Sequence, residues 1–255
     1  MNRSWTWQLP ALDRPVTMHR WGEMGAPLLL FPPNGDDAGS VERAGLVQSL
    51  SLLMTDRRVK VYSVDSVVGA AWNQPGDPLR SAWIQNEFGK AVRDDIVPRI
   101  WEDCRAERLD IVAAGADLGA FDAIGAVCRY PDVFCSAIGM SGTYDLTSRL
   151  AGTWSDDFYF SSPLHFLPGL GGELLDRLRD RFVILATGTG SSESPGESWW
   201  MADVLGSKSV PNRVDNWPGY GHDWGTWSAM LPGYLHEVLE TVCQWRSQDA
   251  EIRVI

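Results

Sequence analysis

Leu109-Asp110-Ile111-Val112-Ala113-Ala114-Gly115-Ala116-Asp117-Leu118-Gly119-Ala120-Phe121-Asp122-Ala123-Ile124-Gly125-Ala126-Val127 is the stretch on which the reading of the chain turns. Its apolar start has the length and composition of a buried strand, and its alanine-rich end has helical spacing. Between them lie small residues that permit a sharp turn. The stretch reads as strand, turn, helix.

On both sides of it, strand and helix patterns alternate. Residues 1–25 (Trp5, Trp7, Leu9, then Val16 and Met18) read as two antiparallel edge strands around a turn at Asp13-Arg14-Pro15. Trp21 falls outside that alternation, so the second strand is expected to end or bulge before it. Pro27 to Phe31 is a continuous apolar run, as in a strand buried on both faces, and it stops at Pro32-Pro33-Asn34-Gly35. Glu42 to Met54 has helical spacing, Val59 to Val64 is a strand before Asp65-Ser66, and Gly69 to Pro78 is a polar loop. Ala82 to Trp101 reads as a long helix. Beyond the central stretch come strands at 136–140, 181–186 and 210–217, and helices at 199–205 and 227–245. Alternation of this kind implies an α/β fold, with a mostly parallel central sheet flanked by helices on both faces. The 255 residues fit one such domain, 1–255, with 146–172 as a cap excursion over the sheet edge.

With 33 acidic against 22 basic residues, the net charge of −11 repels nucleic-acid phosphates and anionic lipid, leaving a small-molecule substrate or ligand as the expected partner. No membrane span or secretory signal is read, and a cytoplasmic location is expected. Cys104, Cys128, Cys135 and Cys243 lack C-x-x-C spacing and are read as reduced, buried and structural. His19, His165 and His236 show no ligand spacing, so neither a metal nor another cofactor is expected. Most of the 13 tryptophans are expected in the core or a pocket wall. A tryptophan-rich surface is also a candidate for homo-oligomerisation.

Strand, sharp turn and helix with glycines two positions either side of the centre is the setting of a nucleophile elbow, G-x-S-x-G. Here Asp117 occupies the serine's position. His222, in Gly219-Tyr220-Gly221-His222-Asp223-Trp224, follows the last strand. With Phe31-Pro32, Val64-Asp65-Ser66, Met140-Ser141-Gly142, Tyr159-Phe160 and Leu231-Pro232-Gly233-Tyr234-Leu235, these motifs resemble the esterase D-like branch of the α/β-hydrolases over nearly the whole chain. The resemblance implies an α/β-hydrolase fold and, in ordinary members, acyl transfer by a Ser-Asp-His triad.

Three positions depart from that pattern. Asp117 replaces serine, and a carboxylate attacks saturated carbon more readily than it transfers acyl groups. The resemblance leads one to expect an aspartate after Ala186, where Gly188-Thr189-Gly190-Ser191 stands instead. Pro33 has no N–H to offer an oxyanion, which leaves Asn34 beside the N–H of Leu118.

The acid candidates are Asp145, just past the strand that follows the elbow, and Glu193, near the vacated position. Loop composition favours a solvated surface role for Glu193 and Glu197, and Asp223 is expected to cap. Trp72, Trp199, Trp224 and Trp227 are expected to line an apolar pocket. Asp117 reads equally as a reactive group or a helix N-cap, and Ser66 and Ser141 stay open as substitute nucleophiles. Two functions remain: an altered hydrolase using Asp117 and His222, acting either by attack at saturated carbon or by general-base chemistry without a covalent intermediate, which the retained histidine loop favours, or an inactive pseudo-esterase that binds a small molecule or a partner.

Overall fold

The computed structural model describes residues 2–74 and 76–242. Its centre is an eight-stranded sheet in the order β1-β2-β4-β3-β5-β6-β7-β8. The strands are β1 (Arg3–Leu9), β2 (Arg14–Trp21), β3 (Ala26–Phe31), β4 (Val59–Val64), β5 (Ile111–Ala116), β6 (Phe134–Met140), β7 (Phe182–Gly188) and β8 (Asn212–Trp217). β2 pairs antiparallel with β1 and with β4, and every later pairing is parallel. Five helices bear on the site: α1 (Val67–Asn73), α2 (Pro78–Ala91), α3 (Leu118–Arg129), α4 (Pro195–Ser207) and α5 (Trp224–Thr241).

Both faces of the sheet are covered, so its apolar runs divide by alternation. Leu29, Phe31, Ile111 and Ala113 face one core layer, shared with α2 and α3. Leu28, Leu30, Val112 and Ala114 face the other, beneath α5. All but Phe31 are essentially inaccessible, and burying each such leucine is worth about 1.5–3 kcal/mol.

Several expectations need correction. β2 runs on through Trp21, which pairs with Val61. Trp21 breaks the alternation because it packs into the layer opposite Met18, the sheet here being buried on both sides. Arg14 and Pro15 belong to the strand itself, so the turn precedes them. Glu42–Met54 is not one helix but parts of three short ones, interrupted at Gly45, whose φ of 88° no helix accommodates. The long helix starts earlier, at Pro78, where Asp77 caps it by accepting from Leu79 N. It widens to π-helical geometry over Val92–Ile96 just before Pro98, which has no N–H for the helical ladder.

Residues 146–172 form short helical turns joined to α2 by two side-chain hydrogen bonds, Gln85 Nε2 to Ser161 Oγ and Asn86 Nδ2 to Asp157 Oδ1. α5 begins at Trp224, with Asp223 accepting from Thr226 N, and the expected extension to Trp245 lies outside the described residues. No helix among the described residues is long and apolar enough to cross a membrane.

The cysteines differ from expectation only in part, since Cys128 is free and buried as expected. Cys104 and Cys128 are free, and Cys104 is only half-buried. Burial pushes the Cys128 thiol up, which leaves it unreactive. Cys135 is disulfide-bonded rather than reduced. Spacing along the chain cannot exclude a partner that folding brings near. Cys243 lies outside the described residues.

A shallow cleft, partly open to solvent, lies between α2 and α3 and is lined by Phe88, Phe121, Asp122 and Arg129 among others. The Asp122 Oδ2 is enclosed there without a hydrogen-bond partner, and burial pushes this carboxyl well above the usual carboxylate range. The folded state therefore holds a proton that the unfolded chain releases. The resulting stabilisation is complete below the ordinary carboxylate pKa and is lost as pH rises through the raised value. Asp122→Asn removes this dependence, so the melting temperature of the unmodified protein should fall between acid and neutral pH more than the variant's. Equal slopes would mean that Asp122 ionises normally in the fold.

Candidate functional site

The carboxyl ends of β3, β5, β6, β7 and β8 lie side by side along one rim, and every group of the candidate site follows one of them. The centre is the turn from β5 into α3. A Cβ on Gly119 would stand 2.0 Å from Phe31 O, and one on Gly115 would stand 2.0 Å from Gly119 O. Only hydrogens fit there, so the helix start packs directly on the strand ends.

Asp117 joins the two elements at φ 51° and ψ −120°, a conformation rare outside glycine and costing on the order of 1–3 kcal/mol. Three backbone bonds hold it: Asp117 N to Met140 O, and Thr143 N and Ala120 N to Asp117 O. The residue occupies the N-cap position of α3, but its side chain makes no capping hydrogen bond. Its Oδ1 instead accepts from Thr143 Oγ1 at 2.7 Å. Oδ2 has no protein partner among the described residues.

His222 reaches the same place from the loop after β8. Its Nε2 stands 3.8 Å from Asp117 Oδ1, and its Nδ1 stands 3.7 Å from Glu193 Oε2. Both separations exceed hydrogen-bond length and fall within ion-pair reach. The imidazole is 24% exposed, while the Glu193 carboxylate is only 1% exposed. The ring meets Trp227 edge-to-face at 5.3 Å, and Trp227 in turn meets Trp224.

Glu193 is therefore not a solvated surface group. Ser141 Oγ donates to its Oε1 at 2.8 Å and Thr187 Oγ1 to its Oε2 at 3.2 Å. Composition suggested a wet loop, but the exit from β7 folds inward, with the Gly190 N–H on Tyr220 O of the histidine loop. Asp145 is turned elsewhere and accepts from Thr147 N and Oγ1. Glu197 is likewise drawn in, accepting from the backbone of Tyr144 and Asp145. Asp223 caps α5.

Asn34 follows β3 at φ 55°, and its carbonyl and side-chain oxygens both accept from Asn73 Nδ2. Leu118 is the first residue of α3, where N–H groups lack intrahelical acceptors. The two substitute nucleophiles are committed to structure. Ser66 Oγ accepts from Gly35 N, and Ser141 Oγ, besides bonding Glu193, accepts from Trp227 Nε1.

Of the four tryptophans expected around a pocket, Trp227 meets His222 edge-to-face and Trp224 packs edge-on against Trp227. Trp72 is buried with its indole N–H on Gln85 Oε1, and Trp199 is 49% exposed on α4. No hydrogen bond or ring contact joins either of these to the cluster. Indole size alone predicted a wall at all four positions, and only tertiary packing separates them. Thr143 was missed, since a lone threonine beyond a strand carries no sequence signal. Among the described residues no group of three or more His, Cys, Asp or Glu is placed to hold a metal ion.

The sequence matches no protein-family model and no curated protein. Solved structures do resemble it. A ferulic acid esterase superposes with a TM-score of 0.73 at 15% identity, covering 94% of this chain and 97% of that one. The S-formylglutathione hydrolase FrmB from Staphylococcus aureus gives 0.63 at 13% identity, covering 94% and 96%. An S-formylglutathione hydrolase from Agrobacterium tumefaciens gives 0.66 at 13%, covering 94% and 95%. At such identities what is shared is the architecture. The chain has the α/β-hydrolase fold.

Proposed function

We propose that the protein is a hydrolase of small organic molecules in which Asp117 attacks saturated carbon, with His222 as general base and Glu193 as the acid that orients it. The observation that carries this reading is the order carboxylate, imidazole, carboxylate, with Asp117 and Glu193 on opposite ring nitrogens of His222. Chain order is nucleophile, acid, histidine, as in serine members of the fold. The overall fold shared with esterases supports the hydrolase class, although the likeness extends to fold alone.

The chemistry follows from which oxygen is occupied. Thr143 and His222 both face Asp117 Oδ1, which leaves Oδ2 to approach a substrate. A lone pair of Oδ2 forms the new bond to carbon while the bond to the leaving group breaks. A halide departs with that electron pair, or an epoxide oxygen retains it and takes a proton from solvent. The product of this step is an alkyl ester of Asp117.

In the second step His222 Nε2 removes a proton from water, whose oxygen adds to Cγ of the ester. The Glu193 carboxylate stabilises the imidazolium through Nδ1. Negative charge gathers on Oδ1, where the Thr143 hydroxyl is already hydrogen-bonded, with Leu118 N–H and Asn34 as further donors. Collapse expels the alcohol, restores the carboxylate and leaves the proton on His222 for release to solvent.

The buried acid also favours an active site over a decayed one. Sealing Glu193 from water without a permanent cation beside it is costly, and packing alone does not require it.

Halide release from short bromoalkanes, and diol formation from small epoxides, test the reaction class. Asp117→Asn should abolish turnover. His222→Gln should stop after the first step, so its intact mass should rise by the alkyl group on incubation with a bromoalkane. Turnover by the unmodified protein in heavy-oxygen water should place the label in the Asp117 peptide. An unlabelled peptide alongside labelled product would rule out the ester and leave direct attack by water.

Glu193→Gln keeps the shape but loses the charge opposite Nδ1, and should lower the rate by about 10²-fold or more. Glu193→Ala should in addition destabilise the fold by about 1–3 kcal/mol, because the Ser141 hydroxyl loses its acceptor. Chemical denaturation of the two variants separates these effects.

A further inference from the structure

Arg149 lies in the helical turn Thr147–Leu150, just beyond the Ser141–Asp145 segment that carries the hydroxyl on Asp117. Its Nη1 donates to Asn73 Oδ1 at 2.8 Å and, more weakly, to Trp72 O at 3.5 Å. Asn73 in turn donates through Nδ2 to Asn34 O at 3.0 Å. Two hydrogen bonds therefore connect the guanidinium to Asn34, in the loop that follows β3. β3 and β5 are adjacent in the sheet, with Phe31 opposite Gly115, so Asn34 and Asp117 leave neighbouring strands at the same rim.

No carboxylate among the described residues pairs with Arg149, as is also true of Arg14, Arg57, Arg80, Arg99, Arg105, Arg129 and Arg181; what sets Arg149 apart is its hydrogen-bonded link to the loop after β3. Its Nε and Nη2 make no hydrogen bond to the protein, and neither is an enclosed orphan. The guanidinium is thus fixed along one edge by two neutral acceptors and presents its other edge, Nε with Nη2, unused. That edge is the side-on fork that fits a carboxylate with two parallel hydrogen bonds.

The surroundings make an uncompensated cation at this place meaningful. Asp117 and Glu193 put two carboxylates against a single imidazole, in a chain of net charge −11, so an anionic substrate meets repulsion on approach. A fixed positive charge on the rim reverses this for a molecule whose anionic end lies away from its reacting carbon. We infer that Arg149 is a specificity-determining residue that selects substrates carrying a carboxylate several bonds from the carbon attacked by Asp117. This inference rests on the function proposed above for the same site.

Binding and turnover can be measured apart. Calorimetric titration of the unmodified protein with hexanoate and with hexanamide, which contain no reactive carbon, should show about 10-fold or more tighter binding of the acid. Arg149→Gln should remove the preference by weakening hexanoate alone, and Arg149→Lys should restore part of it. In turnover, a terminal bromohexanoate should show a lower KM than its amide in the unmodified protein, and Arg149→Gln should raise the KM of the acid by a much larger factor than that of the amide. Equal loss for acid and amide would reduce Arg149 to a structural clamp between its turn and α1. No preference for hexanoate in the unmodified protein would overturn the inference even if bromoalkanes react. A retained hexanoate preference without any halide release would instead overturn the covalent mechanism and leave the anion site standing.

Discussion

The arrangement depends on the missing side chains at Gly115 and Gly119. With only hydrogens there, the first turn of α3 lies against the ends of β3 and β5 at distances no Cβ would survive. The connecting residue is then forced to positive φ, and its side chain is thrown clear of the helix it introduces. Strain on the order of 1–3 kcal/mol is the consequence. It is offset by the burial of α3, whose residues Leu118, Phe121, Ile124 and Val127 are almost wholly enclosed.

Electrostatics set this rim apart from the rest of the molecule. Asp103 is also nearly buried, but Lys60 Nζ reaches it at 2.6 Å and Tyr62 donates to it at 2.8 Å. Burial works to raise that carboxyl, and these partners hold it below its usual range. At the rim the acids receive neutral hydroxyls from Thr143, Ser141 and Thr187, and the only titratable base between them is an imidazole. A structural carboxylate is neutralised by a permanent cation.

Local chemistry made much of this readable. The glycines around Asp117, the apolar runs of β3 and β5 and the order of elements imply the sheet and locate the elbow, since each depends on residues close in sequence. Asp117 and His222 could be singled out for the same reason. Glu193 was legible as a candidate and misjudged in its setting, because loop composition reports average solvation and not the inward fold of one particular exit. Trp21 misled in a related way: alternation predicts the buried face of a strand only when the other face is wet. The three short helices in place of one reflect Gly45, whose backbone freedom outweighs the apolar spacing around it.

By itself, the sequence determined the strand-turn-helix at the centre, the parallel sheet it implies and the carboxylate that stands at the turn, all of which follow from neighbouring side chains and their periodicity. Only tertiary structure decided which acid faces His222, which tryptophans stand beside it, that Cys135 is oxidised and that Arg149 has a free edge. Those facts depend on distances between segments separated by tens of residues. Such distances are set by how α3, α5 and the loops after β7 and β8 pack on the sheet, and no local pattern of residues encodes them.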